Sequence, residues 1–395
     1  MHIGIAGPAT PLALADLLDP DSAALAAAHP GMGGTPVNII VRELVRRGHR
    51  VTLVTLDKTV TTPLLLRGDG LSIHVGHFRG RARDHALDFS KKERDFVRGV
   101  LNAQELDVVH AQWTYEFALG ALASHHRVIT TVHDAPLRIL LIYRDAYRLL
   151  RFMMAVRAIR KARELIAVSP YIAAHVRHYM RYRGTFYVVP NGLPSDVFAA
   201  TVRPRRQGDT IAFGTVMSGF DRLRNARSAL QAFGQVRIRL PQSRLLMFGH
   251  DFSPDGAACQ WAQQEGLTQG VEFRGYLPHS ALIQAVRDDI DVLVHPSTEE
   301  SQSMAITEAM SQGKAVIGGA GVGAVPWVLD EGRSGMLVNI RKPAEIAAAM
   351  VRLAEDEPLR IQYASAALES ARARFDIRMV CDQLEQIYRG NGQTS

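Results

Sequence analysis

The chain has 395 residues, 47% hydrophobic and 22% charged, with a formal net charge of +7; this exceeds the usual size of one domain, so two domains of roughly 190 residues each are expected. Its two cysteines, Cys259 and Cys381, lie far apart in sequence, give neither a disulfide framework nor metal-ligand spacing, and fit a reducing compartment. No apolar run reaches the roughly 18 residues of a membrane span, and Met1-His-Ile-Gly-Ile-Ala-Gly7 reads as a strand and a glycine rather than a basic leader with a cleavage site, so a cytoplasmic location is expected.

In chain order, short β-branched runs predict strands at Ile3 to Ala6, Val51 to Thr55, Val108 to His110, Val128 to Val132, Leu165 to Val168 and Phe186 to Val189. After the first of them comes a stretch from Pro8 to Pro30 with an alanine- and leucine-rich helical pattern, then Gly31, Gly33 and Gly34, which let backbone approach a ligand closely. A glycine-rich turn alone is a weak signal. The next helix is well specified. Thr35 is expected to cap it, Pro36 suits its first position, and Val37, Ile40, Val41, Leu44 and Val45 form one face before Gly48.

Charge is unevenly placed. Residues 1 to 200 carry 25 Lys and Arg against 17 Asp and Glu, and the remainder carries 21 against 22. Between Arg144 and Arg183 ten basic residues accompany only Asp145 and Glu164. Interleaved Leu140, Leu141, Tyr143, Tyr147, Leu149, Leu150, Phe152, Met153, Met154 and Val156 give a helix both apolar and basic, a pattern that suits either an anionic lipid surface or a packed helix with a basic solvent face. Nucleic acid is set aside, because no recognition motif accompanies the basic residues.

The polar stretch 199–209 is the expected linker. Beyond it, strands are predicted at Ile211 to Phe213, Arg244 to Phe248, Val271 to Phe273, Val292 to Val294, Ala315 to Ile317 and Met336 to Val338. Strands alternating with helical patterns in both halves imply two doubly wound α/β domains with parallel sheets.

The most informative segment runs from His295 to Gly313, where a strand becomes a helix and two carboxylates, Glu300 and Glu308, stand eight positions apart. The helix is expected to start near Ser301 to Ser303 and to end at Gly313. Open parallel sheets bind ligands beyond the carboxyl ends of their strands, and a helix start there presents unpaired N–H groups to a phosphate. The backbone around Ser303 and Met304 therefore suits a diphosphate. Glu300 and Glu308, about 12 Å apart if every step is helical, suit the hydroxyls of a sugar and a ribose. The competing reading is a pair of solvated acids stabilised by the helix dipole.

These pieces together resemble the GT-B glycosyltransferases of family 4, retaining enzymes that use nucleotide sugars. The resemblance runs through nearly the whole chain in order: Gly33-Gly34 with Arg47-Gly-His-Arg-Val51, Asp107-Val-Val-His110, Thr131-Val-His-Asp134, Ala167-Val-Ser169, Val189-Pro-Asn-Gly192, Arg224-Asn225, Phe273-Arg-Gly275, Pro296-Ser297 with the two glutamates, Gly321-Val-Gly323 and Gly332-Arg-Ser-Gly335. It implies an α/β GT-B fold, two Rossmann-like domains with parallel sheets facing across a cleft: an acceptor domain at 1–198, the linker, a donor domain at 210–375, and a C-terminal helix at 376–395 packing back on the first domain. The stretch from Pro8 to Pro30 is then an acceptor-side flap or simply packing.

By the same resemblance Glu300 and His133 are the catalytic residues, and Gly33, Gly34, Arg222, Arg224, Gln302, Ser303, Met304 and Glu308 bind the donor. His133 matches the family histidine near the donor sugar, whereas His110 reads as structural. Arg224 stands where lysine is usual, and Arg222 is a second candidate because the arginine expected after Phe213-Gly214 is Thr215. No cofactor and no metal are expected. The partners are a nucleotide sugar and a glycan or lipid-linked acceptor, as in bacterial cell-envelope polysaccharide or glycolipid synthesis, with a peripheral place on the inner membrane face as a further expectation.

Three further departures from the family pattern matter. Ser301-Gln302-Ser303 replaces Gly-Phe-Gly, Trp327 replaces an acid in Gly323-Ala-Val-Pro-Trp327, and Pro194 replaces the acid expected after Asn191-Gly192. They motivate the alternatives of a non-catalytic sugar-nucleotide sensor or partner subunit, and of a GT-B phosphorylase or epimerase.

Overall fold

The computed structural model describes residues 1–199, 201–202 and 210–392. Two units emerge: Met1–Gly192 together with the chain from Ile377 onward, and Leu193–Asp376. The expected linker lies largely outside the described residues. The expected boundary at residue 198 falls a few positions late, because 193–198 packs with the second unit. Leu193 N–H donates to the Phe375 carbonyl at 2.7 Å, Ser195 Oγ donates to Asp376 at 2.7 Å, and Phe198 is buried in that unit's core.

In the first unit, among the described residues, the strands are β1 (His2–Ala6), β2 (Arg50–Asp57), β3 (Leu64–Gly68), β4 (Leu71–His77), β5 (Val108–Gln112), β6 (Val128–Val132), β7 (Glu164–Ala167) and β8 (Thr185–Val188). They form one sheet in the order β3-β4-β2-β1-β5-β6-β7-β8. All neighbours are parallel except β3 and β4, which form an antiparallel edge hairpin with Gly68 opposite Leu71. This hairpin was absent from the predicted strands, although Asp69-Gly70 between two apolar runs is a strong two-residue turn signal.

Side chains alternate across the sheet, so Ile3 and Ile5 of β1 enter the core on one face while Ala6 enters the core on the other. The Thr35–Arg46 helix covers the first face with Val37, Ile40, Val41 and Leu44. Its cap differs from expectation: Thr35 is already helical, and Gly34 is the N-cap, in the left-handed region at φ 79°. Only glycine fits there, since a Cβ on Gly34 would lie 1.9 Å from the Pro8 carbonyl oxygen. The last helix, Ile377–Tyr388, shares the same face. Ile377, Val380, Cys381, Leu384, Ile387 and Tyr388 form its buried stripe, and Arg47 pairs with Asp382 at 2.7 Å and Glu385 at 3.0 Å.

The second unit holds β9 (Ala212–Val216), β10 (Arg244–Phe248), β11 (Val271–Gly275), β12 (Val292–Val294), β13 (Ala315–Gly319) and β14 (Met336–Val338). Their order is β11-β10-β9-β12-β13-β14, with every neighbouring pair parallel. This is the doubly wound dinucleotide-fold order, whose direction reverses between β9 and β12. One apolar core fills the unit, from Phe213 and Phe233 through Leu293 and Ile306 to Phe375.

Candidate functional site

The reversal point fixes where the second unit can hold a ligand: at the carboxyl ends of β9 and β12. After β9 the chain turns through Arg222 to Asn225 into the Ala226–Arg239 helix; after β12 it runs from His295 to Ser303 into the Met304–Ser311 helix. The two turns are bonded together. Thr298 N–H donates to the Leu223 carbonyl at 2.7 Å, and the Asn225 amide donates to the carbonyls of Pro296 at 3.0 Å and Ile340 at 2.9 Å. Gly323 closes on Glu300 from the other side: Ala324 N–H donates to the Glu300 carbonyl at 2.8 Å, and a Cβ on Gly323 would stand 2.0 Å from that oxygen.

Held this way, Glu300 meets Arg224, with Nη1 to Oε1 at 3.0 Å, and His295, with Nε2 to Oε1 at 3.0 Å. Ser303 Oγ lies 3.2 Å from the same histidine nitrogen and also caps the Ile306 N–H of the following helix. Burial alone would push the Glu300 carboxyl up, but the bond to His295, the charge of Arg224 and Ser297 outweigh it and hold the group below its ordinary value. A fixed carboxylate thus stands just ahead of a helix start whose first N–H groups have no partners within the helix. Ser303 reaches this place in the left-handed half of backbone space, at φ 69°, which is strained for a residue with a Cβ.

The remaining residues expected for the donor are dispersed around this centre. Gln302 is buried beside it, and Met304 opens the helix, packed against the core. Arg222 is exposed, and its guanidinium has no polar partner among the described residues. Glu308 is buried and accepts from His279 Nε2 at 2.8 Å, so it does not join the Glu300 cluster; this bond raises the His279 pKa against a smaller effect of burial. Of the departures, Trp327 lies under the Arg374 guanidinium at 4.4 Å and edge-on to Phe375, while Thr215 is buried in β9 with its hydroxyl unbonded among the described residues.

In the first unit the reversal lies between β1 and β5, and the ends of β5 and β6 bring Gln112 and His133 together. His133 Nε2 and Gln112 Oε1 are 2.6 Å apart, so Nε2 carries the proton and donates. The ring stacks on Trp113 at 3.9 Å, and Trp113 itself has a positive φ of 63°. Burial, with a further push from His110, lowers the His133 pKa to about 3. His110 is structural: its nitrogens meet Tyr388 Oη at 2.7 Å and Thr131 Oγ1 at 2.6 Å. Gly34 seats the start of the Thr35 helix as described, and at Gly33 a Cβ would meet no atom within 4 Å, leaving open space beside the backbone.

Beside His133 a pocket of about 100 Å³ is lined by Trp113, Tyr115, Asp134, Arg148, Arg151 and Phe152, among others. Arg151 lies over the Tyr115 ring at 3.4 Å and pairs with Glu116 at 2.7 Å; Arg148 Nε and Asp134 Oδ1 are buried with no hydrogen-bond partner among the described residues. Burial raises the Asp134 carboxyl despite the nearby bond from Tyr115 and the two arginines. His295, His279, Gln112 and this pocket lie outside the site residues expected from the sequence. His295 was legible in principle, being the first residue beyond a strand end; His279 and the pocket depend on packing between distant segments.

Two doubly wound domains, one with a carboxylate, an arginine and a helix start at its reversal point, define the GT-B class of glycosyltransferase. The comparisons with known proteins place the chain within it. A family model described as "Glycosyltransferase Family 4" matches residues 35–197, and one described as "Glycosyl transferases group 1" matches residues 211–356. The D-inositol 3-phosphate glycosyltransferase of Corynebacterium diphtheriae is 25% identical over 90% of this chain and 89% of its own; that of Corynebacterium aurimucosum is 28% identical over 54% of this chain and 53% of its own. The N-acetyl-alpha-D-glucosaminyl L-malate synthase of Bacillus anthracis is 22% identical over 91% and 94%. Among solved structures, sucrose-phosphate synthase from Thermosynechococcus elongatus aligns over 99% of this chain and 98% of its own with a TM-score of 0.79 at 21% identity, a likeness of fold. The chain belongs to the family 4 glycosyltransferases.

Proposed function

We propose that the chain transfers a hexosyl group from a nucleoside-diphosphate sugar to a hydroxyl of an acceptor that carries an anionic group, with retention of configuration and without a metal ion or other cofactor. The observation that carries this reading is the Glu300–Arg224–His295 cluster ahead of the Met304 helix. A helix start and two arginines, Arg224 and Arg222, suit a diphosphate and the negative charge that grows on it as the bond to the sugar breaks. Glu300, held ionised, accepts hydrogen bonds from sugar hydroxyls, and Glu308 accepts from the ribose. Gln302, Ser303 and Met304 carry the backbone around the diphosphate; a donor role for Gly33 and Gly34 is supported by the family resemblance.

His133 contributes as an uncharged imidazole with its Nε2 proton committed to Gln112, so it acts through its other nitrogen and its dipole rather than as a neutral-pH acid. Retention and independence of metal are supported by the family resemblance. The anionic acceptor is supported by the Arg148–Arg151 pocket beside His133, and by relatives named for an inositol phosphate and for malate. A lipid-linked acceptor of cell-envelope synthesis, at the cytoplasmic face, meets the same requirement through its phosphate.

The test is thermal stabilisation and slow hydrolysis with UDP-, GDP-, ADP- and dTDP-sugars, comparing wild type with Glu300→Ala. A ligand that binds only the folded state raises its stability. Selective stabilisation with hydrolysis that depends on Glu300 is expected. No stabilisation by any donor overturns the reading, and stabilisation without hydrolysis or transfer across phosphorylated and carboxylated acceptors identifies a binding-only protein instead.

A further inference from the structure

We propose that the helix pair Pro136–Tyr143 and Ala146–Lys161 is a docking surface for an anionic lipid membrane. The second helix buries Leu150, Met154, Ala155, Ala158 and Ile159 in the core of the first unit. Its opposite face carries Leu149 and Met153, 47% and 46% exposed and four positions apart, followed on the same side by Arg157 and Arg160. Leu141, 50% exposed, extends the apolar surface onto the first helix. Other large exposed apolar residues of the chain are scattered; no other two of them share one helix among the described residues.

Charge decides what covers this face. From Pro136 to Arg163 the one acidic residue is Asp145, and its carboxylate is engaged in capping the second helix through the Arg148 N–H at 2.7 Å. Arg157, Arg160, Lys161 and Arg163 are exposed and have no carboxylate partner among the described residues. A protein interface of this make-up needs an acidic partner shaped to two leucines and a methionine. A lipid surface needs no such shape: its phosphates meet the cations while the apolar tips enter the headgroup boundary. No helix among the described residues is long and apolar enough to cross a membrane, so the contact is peripheral. The inference stands apart from the sugar-transfer reading in the side chains it rests on: Leu141, Leu149, Met153, Arg157, Arg160 and Lys161 do not line the Arg148–Arg151 pocket, although the same two helices contribute to it.

The experiment is sedimentation of the full chain with vesicles of phosphatidylcholine alone and of phosphatidylcholine mixed with phosphatidylglycerol, at low and high salt. Binding to the anionic vesicles at low salt, release at high salt and little binding to the zwitterionic ones are expected. Replacing Arg157, Arg160 and Lys161 with Gln weakens binding about a hundredfold, from the typical contribution of each basic residue near a charged bilayer. Leu149→Ser with Met153→Ser weakens it further at an unchanged thermal transition. Failure of the wild-type chain to sediment with anionic vesicles at low salt overturns the proposal, as does equal binding by the folded variants.

Discussion

Asn225 is the residue on which the geometry of the second unit's site turns, and its replacement gives a worked test. Its side-chain amide donates to the carbonyls of Pro296 and Ile340, its Oδ1 accepts from Ser228, and its backbone sits at φ 53°, where asparagine is tolerated and alanine is strained. Asn225→Ala removes all three bonds, two to carbonyls and one from Ser228, at a combined cost of about 2 kcal/mol, and adds about 1 kcal/mol of left-handed strain. A loss near 3 kcal/mol corresponds to a fall of roughly 6 to 12 °C in the unfolding temperature of a domain this size. Asn225→Gly loses the same bonds without the strain and falls by about two thirds as much. Because these bonds tie the Arg224 turn to the Glu300 turn, both variants also weaken donor binding by about tenfold. Calorimetric scanning and donor titration read the two effects. An alanine variant that melts within about 1 °C of wild type and binds donor normally refutes the assignment of Asn225 as the tie.

Gly34→Ala pushes a Cβ to within 1.9 Å of the Pro8 carbonyl oxygen whereas Gly33→Ala meets nothing within 4 Å, so the first is expected to lower thermal stability several-fold more than the second; equal shifts contradict this picture of the turn. His279 has a raised pKa, so its bond to Glu308 contributes stability that is fully present below its ordinary value of 6.5 and fades as pH rises through the raised one. Denaturant titrations of wild type above pH 6.5 show that fading, and Glu308→Gln removes it. For His110 and His133, both lowered to about 3 by burial, the sign reverses: the unfolded chain binds more protons between about pH 3 and 6.5, so each makes stability fall as pH drops, by at most about 1.4 kcal/mol per pH unit. The transfer rate then shows no inflection near pH 6.5 due to His133; a wild-type inflection that vanishes in His133→Asn excludes the uncharged role.

Much of the architecture could be read from the chain because its signals are local. Alternating β-branched runs such as Val128 to Val132 and helix punctuation such as Pro36 and Gly48 are decided within a few residues, and the strands that carry the site, β5, β6, β9 and β12, were all predicted. The β3–β4 hairpin escaped because Leu64-Leu-Leu66 carries no period-2 alternation, leaving Asp69-Gly70 as its clearest mark. The Thr35 cap was misassigned because sequence shows which residue can cap, whereas the Pro8 carbonyl, 26 positions away, decides that Gly34 must. At the site, Glu300 and Arg224 were readable from their places after strands. Their union is not local: it depends on Asn225, Thr298 and Ala324, whose bonds join segments tens of residues apart.

The same distinction explains the opposite fates of the two residues assigned to catalysis. Burial disfavours the charged form of both Glu300 and His133. Glu300 stays ionised because Arg224 reaches it from the turn after β9 and His295 from the start of its own loop, and the Gly323 turn fixes the backbone that aims it. His133 has Gln112, Trp113 and the buried, uncharged His110 as its neighbours, and none of them offers a counter-charge. One unit therefore presents a fixed negative charge and the other a neutral dipole. That arrangement follows from which residues surround each group, so a substitution that supplies a counter-charge, Gln112→Glu, should raise the His133 pKa toward the neutral range and turn a pH-independent residue into a titrating one, which an NMR titration of the imidazole resonances would detect; an unmoved His133 signal would show that burial, not the lack of a partner, sets its state.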